Sequence, residues 1–265
     1  MQPTAPPPSR PAVRALADWV DLQLSLVLAS LREVAPLARG KLLDVGCGDK
    51  PYEHIFRPFV DSYVGVEHEG SFAATSASGR AGPDVVYSGA ALPMADGSFD
   101  TVLCVQVLEH TADPGALVAE IARVVAPDGL VILMAPFSFR LHEEPHDYFR
   151  YTPHGLRRLF DAAGLEITDV RSQGSLWSLI GHKLNTFLAL RVARMGGVAQ
   201  RMGKLGHEAA STETPRLWSL PVVAPAMTLV SLSARILDRV APDPTETLGY
   251  LVLARRRGGG GVAQR

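Results

Sequence analysis

The stretch Leu42-Leu43-Asp44-Val45-Gly46-Cys47-Gly48 ends an apolar run in two glycines one residue apart. Glycine has no Cβ, so such a turn reaches φ > 0 and lets a bulky ligand approach main-chain N–H and C=O groups. A second apolar run, Tyr63-Val64-Gly65-Val66, delivers Glu67 about 20 residues further on, the offset at which a carboxylate accepts hydrogen bonds from a ribose diol in βαβ units. A third group lies between Phe137 and His154, where histidines, acids, arginines and tyrosines crowd together just past another apolar run. His146 beside Asp147, or His142 beside Glu143, pairs an imidazole with a carboxylate, the combination that suits a general base. The same block sets His142 and His146 four residues apart, but Pro145 breaks the helix such a metal pair needs, and no metal is expected. A structural network, with Arg150 and Asp147 pinning the loop and Tyr148 and Tyr151 packing, is the competing account of this block.

These groups must be held by a sheet. Leu42–Val45, Tyr63–Glu67, Phe99–Gln106 and Leu130–Pro136 are apolar on both faces and alternate with helical segments, which predicts parallel strands covered on both sides. Asp128-Gly129 is the turn into the last of them. Thr152-Pro153 reads as the N-cap and first position of a helix that runs to about Ala163 and stops at Gly164. Strands follow over residues 165–170 and 248–254. Open sheets of this kind present ligands outside the carboxyl ends of their strands, which is where the glycine turn, Glu67 and the histidine block all fall.

Taken in order, Leu43-Asp44-Val45-Gly46-Cys47-Gly48, Gly65-Val66-Glu67, the block from Ala91 to Asp100, Val107-Leu108-Glu109-His110 and the block from Glu120 to Gly129 resemble the class I S-adenosylmethionine-dependent methyltransferases. Within that class they look most like the ubiquinone/menaquinone C-methyltransferase branch, the methyltransferase type 11 domain. The resemblance covers roughly residues 38 to 172. It implies an α/β fold: a Rossmann-like, seven-stranded, mainly parallel sheet flanked by helices, with five parallel strands and a final antiparallel pair. It implies S-adenosylmethionine as cofactor, with Asp44, Gly46, Cys47 and Gly48 around its methionine and ribose portion. Glu67 and His68 take the ribose end, and Gln106 and Val107 close over the sulfonium. The family's adenine-contacting acid falls on Ser88, followed by Gly89 and Ala90, so that contact comes from Ser88 or from backbone. A nicotinamide site would want G-x-G-x-x-G/A, whereas Pro51 stands three residues after Gly48.

With His146, Asp147 and His142 as catalytic candidates, the expected reaction is in-line methyl transfer to a hydroxyl, or a carbon, of a small or lipid-linked acceptor. Alignment alone supplies on the order of 7 to 11 kcal/mol in such a step. A general base adds roughly 10² to 10⁴-fold for a hydroxyl acceptor. A degenerate scaffold that binds without catalysis is the rival reading.

The remainder of the chain sets context. A formal net charge of −1 over 265 residues gives no general attraction to nucleic acid, which is not an expected partner. Cys47 and Cys104 form neither a C-x-x-C pair nor a metal pattern, and a cytoplasmic location is expected. The organisation expected is a disordered Pro-rich lead over 1–11, an N-terminal lid helix over 12–36, a methyltransferase core over 37–173 and 246–256, a helical insertion over 174–245, and a disordered tail over 257–265. The insertion separates the last two strands by about 70 residues and must therefore carry helices of its own. Residues 175–195 read as one amphipathic helix. Leu217 to Ala234 is free of charges, and its 18 residues lie at the lower limit for a bilayer span, but Pro221 and Pro225 argue against one. A cap over the acceptor, an interfacial helix on the inner membrane face, and simple packing on the domain remain open for it.

Overall fold

The structure, a computed structural model, describes residues 18–70, 82–194 and 216–257. The Pro-rich lead, the opening of the N-terminal segment, the glycine-containing stretch over 196–215 and the tail beyond Arg257 lie outside the described residues.

Seven strands form one sheet: β1 Lys41–Val45, β2 Ser62–His68, β3 Val85–Tyr87, β4 Phe99–Val105, β5 Val125–Pro136, β6 Leu165–Ser172 and β7 Gly249–Arg256. Their order is β3-β2-β1-β4-β5-β7-β6. The first five run parallel, and β7 pairs antiparallel with both β5 and β6. This is the Rossmann-like sheet expected, with two refinements. The short β3 carries no buried side chain, which is why no apolar run announces it. β5 begins at Val125, before the expected turn, and takes Asp128 at φ 60° and Gly129 within its length.

Helices cover both faces: α1 Leu22–Val34, α2 Glu53–Phe56, α3 Pro114–Val124, α4 Pro153–Ala162, α5 Leu176–Phe187 and α6 Leu220–Val240. Successive strand side chains point to opposite faces, so each strand feeds two cores. Val102 and Cys104 of β4 join Leu117, Ile121, Leu156 and Phe160 from α3 and α4. Leu103 and Val105 join Val27, Leu31 and Val34 of α1 and Phe56 of α2. Asp113 and Thr152 cap α3 and α4, accepting from Ala116 N and Gly155 N at 3.0 Å, each with proline in the first turn where no N–H partner is needed.

The N-terminal segment departs from a single helix. Asp21 interrupts it in extended conformation and caps α1 by accepting from Leu24 N at 3.1 Å. The segment between β6 and β7 is helical, but α5 gives way to a π-helical turn at Leu188–Val192. α6 runs through both prolines to Val240. Pro221 sits in its first turn, and the helix continues beyond the charge-free stretch through Arg235, Asp238 and Arg239. By length and composition it is the one helix among the described residues able to cross a bilayer.

α5 and α6 pack on each other and on the N-terminal segment. A Cβ on Gly181 would stand 2.8 Å from Leu22 Cδ1 and 2.9 Å from Ala234 Cβ, so glycine lets the three segments meet. Buried polar bonds fix the arrangement. Asn185 Nδ2 donates to Ser231 Oγ at 2.8 Å and Val20 O at 3.2 Å, and Ser175 and Ser178 both donate to Asp238.

Candidate functional site

The strand order turns back between β1 and β4, so the loops that leave their carboxyl ends lie side by side, the switch point at which open α/β sheets bind ligands. Gly46 and Gly48 have φ of 70° and 51°. Gly46 N and Cys47 N donate to Val66 O at 2.9 and 3.2 Å, which folds the turn over the end of β2. A Cβ on Gly46 would meet Val107 Cγ2 at 2.3 Å, whereas one on Gly48 would find nothing within 4 Å. The first glycine admits a protein side chain from the β4 loop. The second faces open space.

Glu67, at the end of β2, is buried and accepts from Gly48 N at 2.8 Å and His68 N at 3.0 Å. Burial raises its pKa against these bonds. Asp44 is buried within β1 and accepts from Tyr63 Oη at 2.5 Å. Desolvation pushes its pKa up to about 7. Cys47 turns its thiol inward: a Cβ on Gly65 would stand 2.6 Å from its Sγ, and burial raises the thiol pKa. Its side chain is therefore turned away from the open side of the loop, which leaves its main chain as what it can offer a ligand. His68 is half-buried, accepts from Gly70 N at 3.2 Å and meets Tyr87 edge-on. Ser88, Gly89 and Ala90 are exposed just beyond β3, and Gly89 also has open space at its Cβ position.

Gln106 has φ 56°. Its Oε1 accepts from Gln23 Nε2 of α1 at 3.4 Å, and its Nε2 is buried without a partner. The N-terminal helix thus touches the site at this residue. An orphaned amide donor beside an open glycine cradle and a carboxylate fits a zwitterionic nucleoside ligand of the S-adenosylmethionine type.

The Phe137–His154 block lies over the turn at Leu108–His110. Tyr148 N and Phe149 N donate to Glu109 O at 2.9 and 3.3 Å, and Tyr151 Oη donates to Leu108 O at 2.9 Å. His146 and Asp147, adjacent in sequence, are not brought together. The Asp147 carboxylate is held by Arg150 through two bonds of 2.6 and 2.7 Å and accepts from His142 N at 3.0 Å. These partners hold its pKa down to about 2, against the cost of burial. Asp147 is therefore an anchor, and the pairing of Asp147 with His146 as a base is corrected. His146 is exposed, with its Nδ1 2.9 Å from Tyr148 Oη. The imidazole that approaches Asp147 is that of His142, at 3.3 Å from Nδ1.

A different cluster forms instead. Glu109, His110 and His142 each place a ligand-type atom within 4.8 Å of the others. The rings of His110 and His142 meet edge-to-face at 4.6 Å. Both Glu109 carboxylate oxygens are buried without a hydrogen-bond partner. Desolvation pushes this carboxyl up to about 8.

Other residues of the site lacked a sequence signal. Lys50, at φ 54°, pairs with Asp84 at 2.6 Å, and Asp84 accepts from Gly65 N at 2.7 Å. This ties the end of the glycine turn to β2 and β3. Arg123 of α3 bonds Leu92 O, Met94 O and Asp96, fixing the segment after β3. A cleft of about 250 Å³ between the block after β5 and α5 is lined by Ser138, Arg140, His182, Lys183 and Phe187 among others.

Residues 43–133 match the family model described as a methyltransferase domain. An uncharacterized methyltransferase of Mycobacterium ulcerans is 38% identical over 131 residues, which is 48% of this chain and 51% of that protein. One from Mycolicibacterium gilvum is 44% identical over 95 residues, 35% of this chain and 37% of that protein. The chain spans about half, or less, of the length of the curated relatives it matches. The crystal structure of the [4+2]-cyclase SpnF superposes with a TM-score of 0.53 at 20% identity, covering 88% of this chain and 80% of that one, a likeness of fold. The matched region is thus similar to a methyltransferase domain, and it lies within a Rossmann-like sheet. The quinone C-methyltransferase branch is not singled out by these matches.

Proposed function

We propose that this chain transfers a methyl group from S-adenosylmethionine to a hydroxyl, or a carbon, of a small or lipid-linked acceptor by in-line displacement. The observation that carries this reading is the open cradle at Gly48, flanked by Glu67 and the unpartnered amide of Gln106 at the switch point. When bound, the cofactor supplies an electrophilic methyl carbon on a sulfonium. Gly46 and Gly48 give the ligand access to backbone, and Asp44 faces its ammonium. Glu67 takes the ribose diol, with His68 beside it. Ser88, Gly89 and Ala90 form the adenine edge. Gln106 and Val107 border the sulfonium side.

The acceptor approaches past the Phe137–His154 block, where the Glu109–His110–His142 cluster provides the polar groups next to the β4 loop. Arg150 and Asp147 keep that block in place, so their role is positional. The exposed apolar side chains of α5 and α6, Ile180, Leu184 and Phe187 with Leu229, Leu232 and Ile236, support a lipid-linked acceptor or contact with a membrane surface.

Calorimetric titration with S-adenosylmethionine, S-adenosylhomocysteine and NAD tests the reading. Binding of the sulfur ligands with silence for NAD is expected. A folded protein that binds neither sulfur ligand overturns it in favour of a scaffold that binds without catalysis.

A further inference from the structure

We infer that Glu109, His110 and His142 form a binding site for one divalent first-row transition-metal ion beside the methyl-donor loop. The inference deepens the proposed function, naming the chemistry of its polar centre, and rests on that reading only for the purpose the cation serves.

His110 Nδ1 lies 2.9 Å from His146 O. A carbonyl oxygen can only accept, so Nδ1 carries the proton and Nε2 is left with its lone pair. That Nε2 lies 3.9 Å from Glu109 Oε1 and 3.8 Å from Glu143 Oε2. A backbone carbonyl holding the far nitrogen of an imidazole is the support that metal-binding histidines characteristically have. His142 has its counterpart in Asp147, 3.3 Å from its Nδ1 and itself fixed by Arg150.

Satisfaction of polar groups points the same way. Glu109 is fully buried and neither oxygen has a partner. Leaving a buried polar group in that state is costly, and more so for a charge. Two such oxygens beside the lone pair of His110 Nε2 are accounted for by a ligand that accepts lone pairs from them. Two bonds of zinc or its neighbours to nitrogen or oxygen span ~4 Å, so donors within 4.8 Å close on a cation by small side-chain rotations. Two imidazoles and a carboxylate suit zinc, iron, cobalt or manganese better than magnesium or calcium, which favour all-oxygen sets. Glu143, exposed, can complete the set from the solvent side.

Glu109 and His110 follow Val107, which rests against Gly46, so a cation here lies next to the glycine turn. It would seat an acceptor oxygen and favour its deprotonated form, the task that the sequence assigns to a general base. The sequence hides this site because His142 is separated from Glu109-His110 by a helix, a strand and a loop without periodicity.

The test is titration of chelator-treated full-length protein with cobalt(II), read by ligand-field absorption, and with zinc(II) by calorimetry, without cofactor or acceptor. One equivalent is expected to bind. Affinity is expected to fall at least about tenfold in Glu109→Gln and in His142→Gln. The second substitution lies in a partly exposed loop and keeps the test alive should the first fail to fold. No cobalt absorption in the parent protein, or absorption undiminished in folded variants, overturns the inference. Parallel titration with S-adenosylhomocysteine reads the proposed function separately, because neither metal measurement depends on it.

Discussion

Replacing Gly46 and Gly48 by alanine, singly, separates the two jobs of the glycine turn. Both have φ > 0, so each alanine carries a backbone strain of about 1 to 2 kcal/mol. Only at Gly46 does the new Cβ fall 2.3 Å from Val107 Cγ2, an overlap that forces Val107 or the β4 loop to move and adds about 1 to 3 kcal/mol. Urea unfolding is expected to show Gly46→Ala destabilised by about 2 to 5 kcal/mol and Gly48→Ala by no more than the strain alone. The order reverses for the cofactor relative to stability. Gly48→Ala places a methyl in the open space where a ligand would touch backbone, and affinity for S-adenosylhomocysteine should drop about tenfold or more, equivalent to ~1.4 kcal/mol. The double variant Gly46→Ala with Val107→Ala should recover the overlap portion of the stability loss but not the strain. Equal stability of the two single variants would refute the packing argument, and unchanged affinity in Gly48→Ala would remove the turn from the binding site.

With Asp44 facing the cofactor ammonium as proposed, affinity is expected to depend on pH: its carboxyl is pushed up to about 7, and only the ionised form attracts an ammonium, so S-adenosylmethionine should bind more tightly as pH rises through 7. Stability of the free protein responds with the opposite sign. Asp44's contribution is complete below the ordinary value of 3.8 and is lost as pH rises through about 7, and the Asp44→Asn protein should lose this dependence in thermal melts. His182 is held down to about 4 by burial, so the folded state loses stability as pH falls from about 6.5 towards 4. His182→Phe should flatten that part of the acid unfolding curve. Arg150→Met leaves the buried Asp147 carboxylate without its ion partner and should cost about 3 kcal/mol in urea unfolding. Leu229→Asp with Ile236→Asp, both on the exposed side of α6, should leave the melting temperature unchanged while reducing sedimentation with anionic vesicles; equal sedimentation argues that this face serves something other than lipid.

The sheet was legible where strands are buried on both faces, because β1, β2, β4 and β5 write themselves as continuous apolar runs. The position of Glu67 at the end of β2 was legible, as was α4 from Thr152-Pro153. β3 was not, since its three residues bury nothing completely. The Lys50–Asp84 pair joins residues with no shared period, and the positive φ of Lys50 has no local marker. The pairing of His146 with Asp147 failed because adjacent residues in an irregular loop diverge, and Arg150 had prior claim on the carboxylate. α6 runs on through Pro221 and Pro225, the prolines that argued against a span; the first sits in the opening turn, where no N–H partner is needed.

The placement of β7 bears on how the molecule is made. It is last of the strands in sequence yet lies inside the sheet, between β5 and β6, with the α5–α6 segment preceding it. During synthesis β5 therefore emerges with one side bare, and β6 without a neighbour, until residues 249–256 leave the ribosome. An unpaired β5, apolar from Leu130 to Pro136, is an adhesive edge. Nascent chains halted before Gly249 should accordingly be the ones that bind chaperones and aggregate, and completion of eight residues should release them.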